Sequence, residues 1–217
     1  MTTTDDPATD WYAWHAPYDE LVSPLSRRLA VVQDAVRGVL DDARPGPLRV
    51  VSLASGQARD LLPLLIEHPR GVDVQALLVE QDARNADFAE GAVLGAALHG
   101  VRVVVGDAGD GDVLADAVPA DLVLACGLFG LLDDDEAEAV VRALPHLLAA
   151  GGRVVWTRNR RHGDPTRRLR DAFAAAGMSE VSYTAGAPEE GSFSVGVARW
   201  DGPDGRLAAG TRVFGLS

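Results

Sequence analysis

The feature of this sequence that most constrains its fold is a regular alternation of short apolar runs with longer amphipathic stretches. Apolar strands that alternate with helices are typical of a parallel sheet covered by helices on both faces. The pattern therefore predicts five parallel strands with helical segments between them. The predicted strands are residues 50–53, 76–79, 101–105, 122–125 and 154–156.

The end of the pattern leaves no room for a helix between two strands. Residues 181–184 and 193–198 are strand-like, and only the short stretch 185–191 separates them. Strands joined so directly form an antiparallel hairpin. We therefore predict a doubly wound, Rossmann-like α/β fold whose seven-stranded sheet is mostly parallel, ends in a C-terminal antiparallel hairpin and has helices on both faces.

The N-terminal part carries aromatic residues and a predicted helix. Four aromatic residues fall between Trp11 and Tyr18, and Ser23-Pro24 has the chemistry of a helix start, with Pro45 at the far end. The aromatic segment has two interpretations: a lid over a ligand site, or a hydrophobic staple that docks the helix.

The predicted boundaries divide the chain into three parts. Residues 1–46 form the N-terminal segment and helix, 47–200 the ligand-binding α/β domain and 201–217 a tail. The tail contains one candidate strand, at Val213-Phe214.

Composition excludes several classes of function. The formal net charge of −12 has the wrong sign for a protein that binds nucleic acid through its phosphates. Every basic side chain is Arg, so chemistry that requires a lysine is absent. With Cys126 as the single cysteine, no ligand set for a metal is predicted. No apolar run approaches the ~20 residues of a membrane span, and no signal peptide is recognisable, so a cytoplasmic protein without a membrane partner is expected.

Polar and small residues follow three successive predicted strands. The first is followed by a turn of small residues from Ser52 to Asp60, the second ends in Glu80, and the third is followed by Asp107. The carboxyl ends of parallel strands meet at one edge of the sheet, where ligands bind in such folds. A carboxylate at the second strand can accept both hydroxyls of a ribose, so the set predicts a nucleoside site.

These residues, with Cys126-Gly127 after the fourth strand and the terminal hairpin, make residues 48–200 resemble the class I S-adenosylmethionine (SAM) dependent methyltransferases, and the loop most resembles that of uncharacterised bacterial members. The resemblance implies SAM as the methyl donor and S-adenosylhomocysteine as its product. It also implies that the loop contacts the methionine part, Glu80 the ribose and Asp107 the adenine. Ser52 stands where the family has an acid, and Ala54 and Ala58 replace the outer glycines. The predicted cofactor-binding residues are Ser52, Ala54, Ser55, Gly56, Asp60, Glu80, Gln81, Asp107, Ala108 and Cys126.

The acceptor side is less defined by the sequence. Residues 125–130 lack the motif of amino-methylating DNA enzymes and the Asp of magnesium-dependent catechol enzymes. An arginine-rich stretch, 158–170, indicates either an anionic acceptor or a helix face paired with the chain's own acids. The acidic run 133–136 is interpreted as a helix start. The candidate catalytic residues are His15 and His162, and the candidate substrate-binding residues are Trp14, Tyr18, Phe129 and Arg158.

The predicted function is methyl transfer from SAM to a small-molecule acceptor, anionic or aromatic, by in-line displacement. One alternative is an inactive SAM-binding scaffold or partner subunit, which the altered loop favours. An NAD-dependent oxidoreductase is a weaker alternative because a chain without lysine cannot carry the usual Tyr-x-x-x-Lys pair. The oligomeric state is not determined by the sequence.

Overall fold

The computed structural model describes residues 9–160, 163–208 and 210–215, and within them seven strands form one sheet. The order across the sheet is β3-β2-β1-β4-β5-β7-β6. The first five strands are parallel, and β7 is antiparallel to both β5 and β6. The strands are β1 (Leu48–Leu53), β2 (Val74–Glu80), β3 (Val101–Val105), β4 (Ala120–Ala125), β5 (Leu148–Asn159), β6 (Met178–Ala185) and β7 (Phe193–Trp200).

A short 3₁₀ helix, Ala13–Asp19, precedes the first α-helix, which leads into β1, and the other α-helices lie between successive strands. They are α1 (Pro24–Asp42), α2 (Leu62–Glu67), α3 (Ala83–Gly95), α4 (Gly111–Leu114), α5 (Asp134–Ala143) and α6 (Thr166–Ala175). The predicted fold class is thus confirmed. Among the helices of the described ranges, none has the length and apolar character needed to cross a membrane.

The sheet is buried on both faces because its central strands are apolar at nearly every position. In β1, Val51 and Leu53 point into one apolar cluster and Val50 points into the other. In β4, Val123 and Leu124 divide in the same way. Strands buried on both faces have continuous apolar sequences, which is why the runs were recognisable without the structure.

The C-terminal hairpin forms as predicted, and a glycine makes its packing possible. Gly196 of β7 pairs with Trp156 of β5, and a Cβ at this glycine would lie 2.2 Å from the Trp156 ring. The indole therefore packs directly on the backbone of the neighbouring strand. The candidate strand at Val213-Phe214 is wrong: over residues 210–215 only Arg212 makes a bridge, with Asp110, and Phe214 enters the core as a buried ring.

Two helix starts follow the local chemistry of the sequence. The Ser23 hydroxyl at the start of α1 accepts a hydrogen bond from the Ser26 N–H (3.0 Å). At the start of α5, the Asp133 carboxylate accepts from the Glu136 N–H (2.8 Å), and the Glu136 carboxylate accepts in return from the Asp133 N–H (2.9 Å). The acidic run is therefore a helix cap, as predicted.

Candidate functional site

A cavity of about 960 Å³ lies at the carboxyl ends of the central strands. The loop after β1 and the residues that follow β2, β3, β4 and β5 line the cavity. Residues of α1 and the N-terminal aromatic residues also line it. The strand order reverses between β1 and β4, because the chain leaves β1 toward β2 on one side and returns to β4 on the other. Ligands of open α/β sheets bind at this reversal.

The loop after β1 keeps an unusual backbone although it has lost two glycines. Ala54, Gly56 and Ala58 all have positive φ, at 51°, 54° and 50°. Only glycine adopts this conformation without a steric cost, so both alanines are strained. The three residues occupy the positions of the family's three glycines, and the loop therefore has the backbone that a glycine-rich loop would have.

Glu80 connects the loop to the end of β2. Its Oε2 accepts a hydrogen bond from the Gly56 N–H (2.7 Å), and its Oε1 accepts from the Asp82 N–H (2.9 Å). The residue is 8% exposed and lies on the cavity wall. Each carboxylate oxygen can accept more than one hydrogen bond, so both retain capacity for a hydroxyl group.

Two buried side-chain oxygens of the described residues have no hydrogen-bond partner: Ser55 Oγ and Asp60 Oδ1. Both residues line the cavity. Buried polar atoms are nearly always hydrogen-bonded, and an exception at a cavity wall indicates a ligand. These two oxygens are therefore available for hydrogen bonds to a polar ligand.

Burial dominates the electrostatics around Asp60. It raises the pKa of the Asp60 carboxyl to about 6, against the lowering effects of its own backbone N–H, the Cys126 thiol, Arg28 and the Leu61 N–H. Burial also raises the pKa of Cys126, whose thiol lies against Asp60 and the Val155 carbonyl. A thiol that stays protonated is not a nucleophile, so Cys126 is a wall residue.

The N-terminal aromatic segment crosses the cavity and is held at both ends by ion pairs. Asp10 pairs with Arg84 of α3 (2.9 Å), and Asp19 pairs with Arg59 of the loop after β1 (2.6 Å). The 3₁₀ helix buries none of its own residues, yet its rings line the cavity. The segment therefore lies against the cavity, which is the position that the lid interpretation requires.

His15 lies inside this lid and faces the loop. Its Nδ1 is 2.8 Å from the Trp11 carbonyl oxygen, and its Nε2 lies 2.5 Å from the point where a Cβ on Gly56 would stand. Burial lowers the pKa of His15, so the ring is neutral at pH 7. In the tautomer that donates from Nδ1 to Trp11, the lone pair of Nε2 faces the loop.

Most of the predicted cofactor-binding residues lie on this cavity wall, and two do not. Ser52 is 2% exposed within β1. The Asp107 carboxylate is turned to other partners: Oδ1 accepts from the Gly109 N–H (2.7 Å), and Oδ2 pairs with Arg212 of the tail (2.7 Å). Those that line the cavity are Ala54, Ser55, Gly56, Asp60, Glu80, Gln81, Ala108 and Cys126.

Of the four predicted substrate-binding residues, three line the cavity and one does not. Trp14, Tyr18 and Arg158 line the cavity. Phe129 does not: its ring is 0% exposed and packs edge-on against Trp156, with ring centroids 6.5 Å apart. The Phe129 ring packs in the core and not at the cavity, so its predicted role in substrate binding is wrong. His162 lies outside the described residues.

The arginine-rich stretch is largely neutralised by acids of the chain. Arg158 pairs with Asp134 (2.8 Å), and Arg170 pairs with Glu180 (2.5 Å). Arg168 lies within 3.5 Å of three carboxylates of the start of α5. The helix-face interpretation therefore holds for these three arginines.

Sequence reasoning missed Arg28, a half-buried cavity residue on α1. Its Nη2 donates to the Tyr18 hydroxyl (2.5 Å), and its guanidinium lies 5.7 Å from the centre of the Trp14 ring. Helical spacing of the apolar residues places Arg28 on the polar side of α1, which gives no sign that a cavity lies there. Within the described ranges, no three His, Cys, Asp or Glu side chains form a group that could hold a metal ion.

No family model matches this chain. It is 29% identical over 133 residues to the ribosomal RNA small subunit methyltransferase G of Mycolicibacterium gilvum (strain PYR-GCK), a match that covers 61% of this chain and 54% of that protein. The chain thus matches about half the length of this curated relative.

Two solved structures illustrate the similarity of fold. The magnesium protoporphyrin IX methyltransferase (ChlM) of Synechocystis PCC 6803, with bound SAM, aligns with a TM-score of 0.70 at 15% identity, over 89% of this chain and 92% of that one. An O-methyltransferase family protein of Burkholderia thailandensis aligns with a TM-score of 0.66 at 21% identity, over 89% of this chain and 61% of that one.

The seven-stranded sheet with its C-terminal antiparallel hairpin has the architecture that the sequence predicted. In its fold, the chain is similar to these methyltransferases.

Proposed function

We propose that this protein transfers a methyl group from SAM to a small, uncharged aromatic molecule. The observation that carries the proposal is the pair of unpartnered buried oxygens, Ser55 Oγ and Asp60 Oδ1, on the same cavity wall as Glu80. SAM has the matching groups: an adenosine with a ribose diol and a polar amino-acid end. The ChlM structure with the same fold holds SAM.

The ends of β1, β2 and β3 form the donor half of the cavity. Here the strained loop brings its backbone close to a ligand, and the two Glu80 oxygens can accept the ribose hydroxyls. Gly106 and the buried Ala108 line the wall after β3, where a flat adenine would lie. The shape and polarity of this half therefore fit the adenosine of SAM.

The ends of β4 and β5 form the acceptor half. Its wall includes Gly127, Gly130, Leu131 and Thr157, with Trp14 of the lid also on the cavity. The arginine at this end, Arg158, is already paired with Asp134. A wall of mostly small and apolar residues with an aromatic ring suits an uncharged aromatic acceptor. A volume of about 960 Å³ is at the upper end of small-molecule sites, which leaves room for donor and acceptor together.

The protein's contribution to the reaction is alignment and exclusion of water. Bound SAM would supply an electrophilic methyl group, and S-adenosylhomocysteine would be the leaving group as the acceptor atom bonds to the methyl carbon in line. The lid, held by Asp10–Arg84 and Asp19–Arg59, keeps water from the cavity. The neutral His15 ring, with its Nε2 lone pair toward the loop, is the group we assign to accept a proton from an acceptor hydroxyl.

RNA is the competing acceptor, because the relative from Mycolicibacterium gilvum is named for ribosomal RNA. The net charge of −12 and the pairing of the α6 arginines with acids disfavour a phosphate backbone as a partner. We therefore propose a small-molecule partner.

Calorimetry with S-adenosylhomocysteine, followed by a methylation assay, tests the proposal. We expect micromolar binding, and formation of S-adenosylhomocysteine from SAM with one or more members of a panel of phenols and aromatic amines. The same assay with small ribosomal subunits is the comparison. Absence of binding would overturn the proposed donor, and methylation of RNA alone would overturn the proposed acceptor. Binding without transfer to any acceptor would favour the inactive scaffold.

A further inference from the structure

The loop after β1 has one glycine among three residues with the same backbone conformation. The φ angles are 51° at Ala54, 54° at Gly56 and 50° at Ala58. Glycine adopts this conformation without a steric cost, but the two alanines show that the loop tolerates a Cβ in it. The backbone angle by itself therefore does not explain why position 56 is a glycine.

The space that a side chain at position 56 would need is filled by His15. A Cβ on Gly56 would lie 2.5 Å from Nε2 and 3.0 Å from Cε1 of His15, and the three heavy atoms nearest to it all belong to this ring. A Cβ atom essentially never approaches another heavy atom as closely as 2.5 Å. The ring thus packs on bare backbone, and either the ring or an added methyl group can occupy this place, but not both.

The His15 ring is also held on its other sides. Its Nδ1 lies 2.8 Å from the Trp11 carbonyl oxygen. The centre of the ring is 5.3 Å from the centre of the Trp14 ring, which meets it edge-on, and 5.7 Å from the centre of the Tyr18 ring. Because these three neighbours belong to the same N-terminal segment, an added methyl group at position 56 would displace the segment together with the ring.

We propose that Gly56 is a positioning residue for His15. Because position 56 has no side chain, the His15 ring can lie directly on the loop backbone, and this contact sets the position of the N-terminal segment against the cavity. The inference rests on the proposed function, in which His15 accepts a proton from the acceptor. The Gly56 N–H is donated to Glu80 (2.7 Å), so the contact places the ring without engaging the Nε2 lone pair with this donor.

A second explanation for the glycine is that the methyl donor itself needs the space. In that case, a Cβ at position 56 would obstruct the donor whether or not the His15 ring is present. If the glycine serves His15, the effect of the Cβ depends on the ring. A double-mutant cycle with Gly56→Ala and His15→Ala therefore separates the two explanations.

The position of the N-terminal segment can be measured without a ligand. Two of the four tryptophans, Trp11 and Trp14, belong to this segment, whereas Trp156 is buried in the core. In Gly56→Ala, quenching of the tryptophan fluorescence by acrylamide should increase by about 1.5-fold or more, because the displaced segment exposes its rings. In the His15→Ala background, the same substitution should leave the quenching unchanged. Equal quenching in Gly56→Ala and the wild type, or the same increase in both backgrounds, would overturn the proposal.

Calorimetry with S-adenosylhomocysteine distinguishes the ring from the donor. Gly56→Ala should lower the affinity about tenfold when His15 is present and less than about twofold in the His15→Ala background. Equal losses in the two backgrounds would mean that the donor needs the space, and they would overturn the proposal.

Turnover tests the link to the proposed base. The kcat for methyl transfer should fall about tenfold or more in Gly56→Ala. In His15→Ala, which lacks the proposed base, the addition of Gly56→Ala should cause no further loss. A loss of the same size in both backgrounds would show that Gly56 does not act through His15.

Gly46→Ala is the matched control. Gly46 also has a positive φ (116°), but among the described residues nothing lies within 4 Å of an added Cβ, and the residue is outside the cavity lining. This variant should change neither the quenching nor the affinity. If Gly56→Ala does not fold, recovery of a folded protein by His15→Ala gives the same support, and failure of the double variant to fold overturns the proposal.

The outcomes also separate this inference from the proposed function. If the wild type binds no S-adenosylhomocysteine, the proposed function fails, and the quenching measurements still decide whether Gly56 positions the His15 ring. If the wild type binds S-adenosylhomocysteine but the effects of the two substitutions are independent, the inference fails and the proposed function stands.

Discussion

The two halves of the cavity differ in whether their polar groups have partners within the protein and in whether their backbone is strained. In the donor half, Asp60 and Ser55 have buried oxygens without partners, and Ala54 and Ala58 are strained. In the acceptor half, Arg158 is paired and Phe129 is packed in the core. Unsatisfied polar groups and strain accumulate where a protein has to recognise something. The donor half is thus specified in detail, whereas the acceptor half is specified mainly by shape.

The largest expected effect is on stability and concerns Phe129, which follows β4 but packs in the core. Phe129→Ala should lower the free energy of unfolding by about 3–5 kcal/mol, because it leaves a hole between Trp156 and Phe173. Chemical denaturation measures the loss. Leu131→Ala, at an exposed cavity residue two positions away, is the control and should change stability by less than about 1 kcal/mol. A small effect of Phe129→Ala would mean that the ring is not part of the core.

Asp60 should make the ligand-free protein less stable as the pH rises. Its folded pKa of about 6 lies above the ordinary aspartate pKa of 3.8, so the folded state binds its proton more tightly than the unfolded state does. The destabilisation is absent below about pH 4 and complete above pH 6, where two pKa units correspond to about 3 kcal/mol. Asp60→Asn should therefore be more stable than the wild type by up to about 3 kcal/mol at pH 8 and equally stable near pH 4, in denaturation at both values.

The same group gives ligand binding the opposite dependence on pH. The carboxylate form of Asp60 should bind the ammonium of the ligand's amino-acid end better than the protonated form, so the affinity for S-adenosylhomocysteine should increase between pH 5 and pH 7.5. In Asp60→Asn this increase should disappear. If Asp60→Asn has the stability of the wild type at both pH values and the same dependence of binding on pH, Asp60 does not distinguish the donor half.

Glu80→Ala should weaken binding of S-adenosylhomocysteine by about 1–3 kcal/mol, the cost of removing a buried polar partner. Glu90→Ala, at an exposed position of α3, is the matched control for calorimetry. Asp107→Ala should have a smaller effect than Glu80→Ala, because the Asp107 carboxylate is occupied by Arg212. Equal losses for Glu80 and Asp107 would extend the polar donor half to the end of β3.

The smallest effect is expected for Arg158→Met in the acceptor half. Its ion pair with the partly exposed Asp134 should contribute less than about 1 kcal/mol to stability. If the acceptor is uncharged, the KM for the acceptor should change less than about threefold in Arg158→Met. If the acceptor is anionic, this KM should increase about tenfold or more. Steady-state kinetics with the acceptor found in the panel distinguishes the two.

The fold could be predicted from the sequence because its signals are local. The apolar runs of β1 and β4, the short connection before β7 and the acidic cap of α5 each specify an element within a few residues. The positions of Ser55, Glu80 and Ala108 on one wall follow from the geometry of parallel strands.

The remaining parts of the site depend on contacts between distant residues. Arg212 meets Asp107, and Asp134 meets Arg158, across long stretches of chain that carry no signal of their proximity. Phe129 lies close after Cys126-Gly127 in the sequence, and only the tertiary structure shows that its ring packs against Trp156 and not at the cavity.

The sequence by itself determined the order of strands and helices, the loop after β1 and the acid at the end of β2, since each arises from hydrophobic periodicity or local backbone chemistry. The tertiary structure decided which charges are neutralised and which are left for a ligand. That choice depends on the distances between side chains that meet only after the sheet and the lid have packed. Within the described ranges, Asp60 Oδ1 has no hydrogen-bond partner because packing brings this side chain to the cavity wall without a donor beside that oxygen.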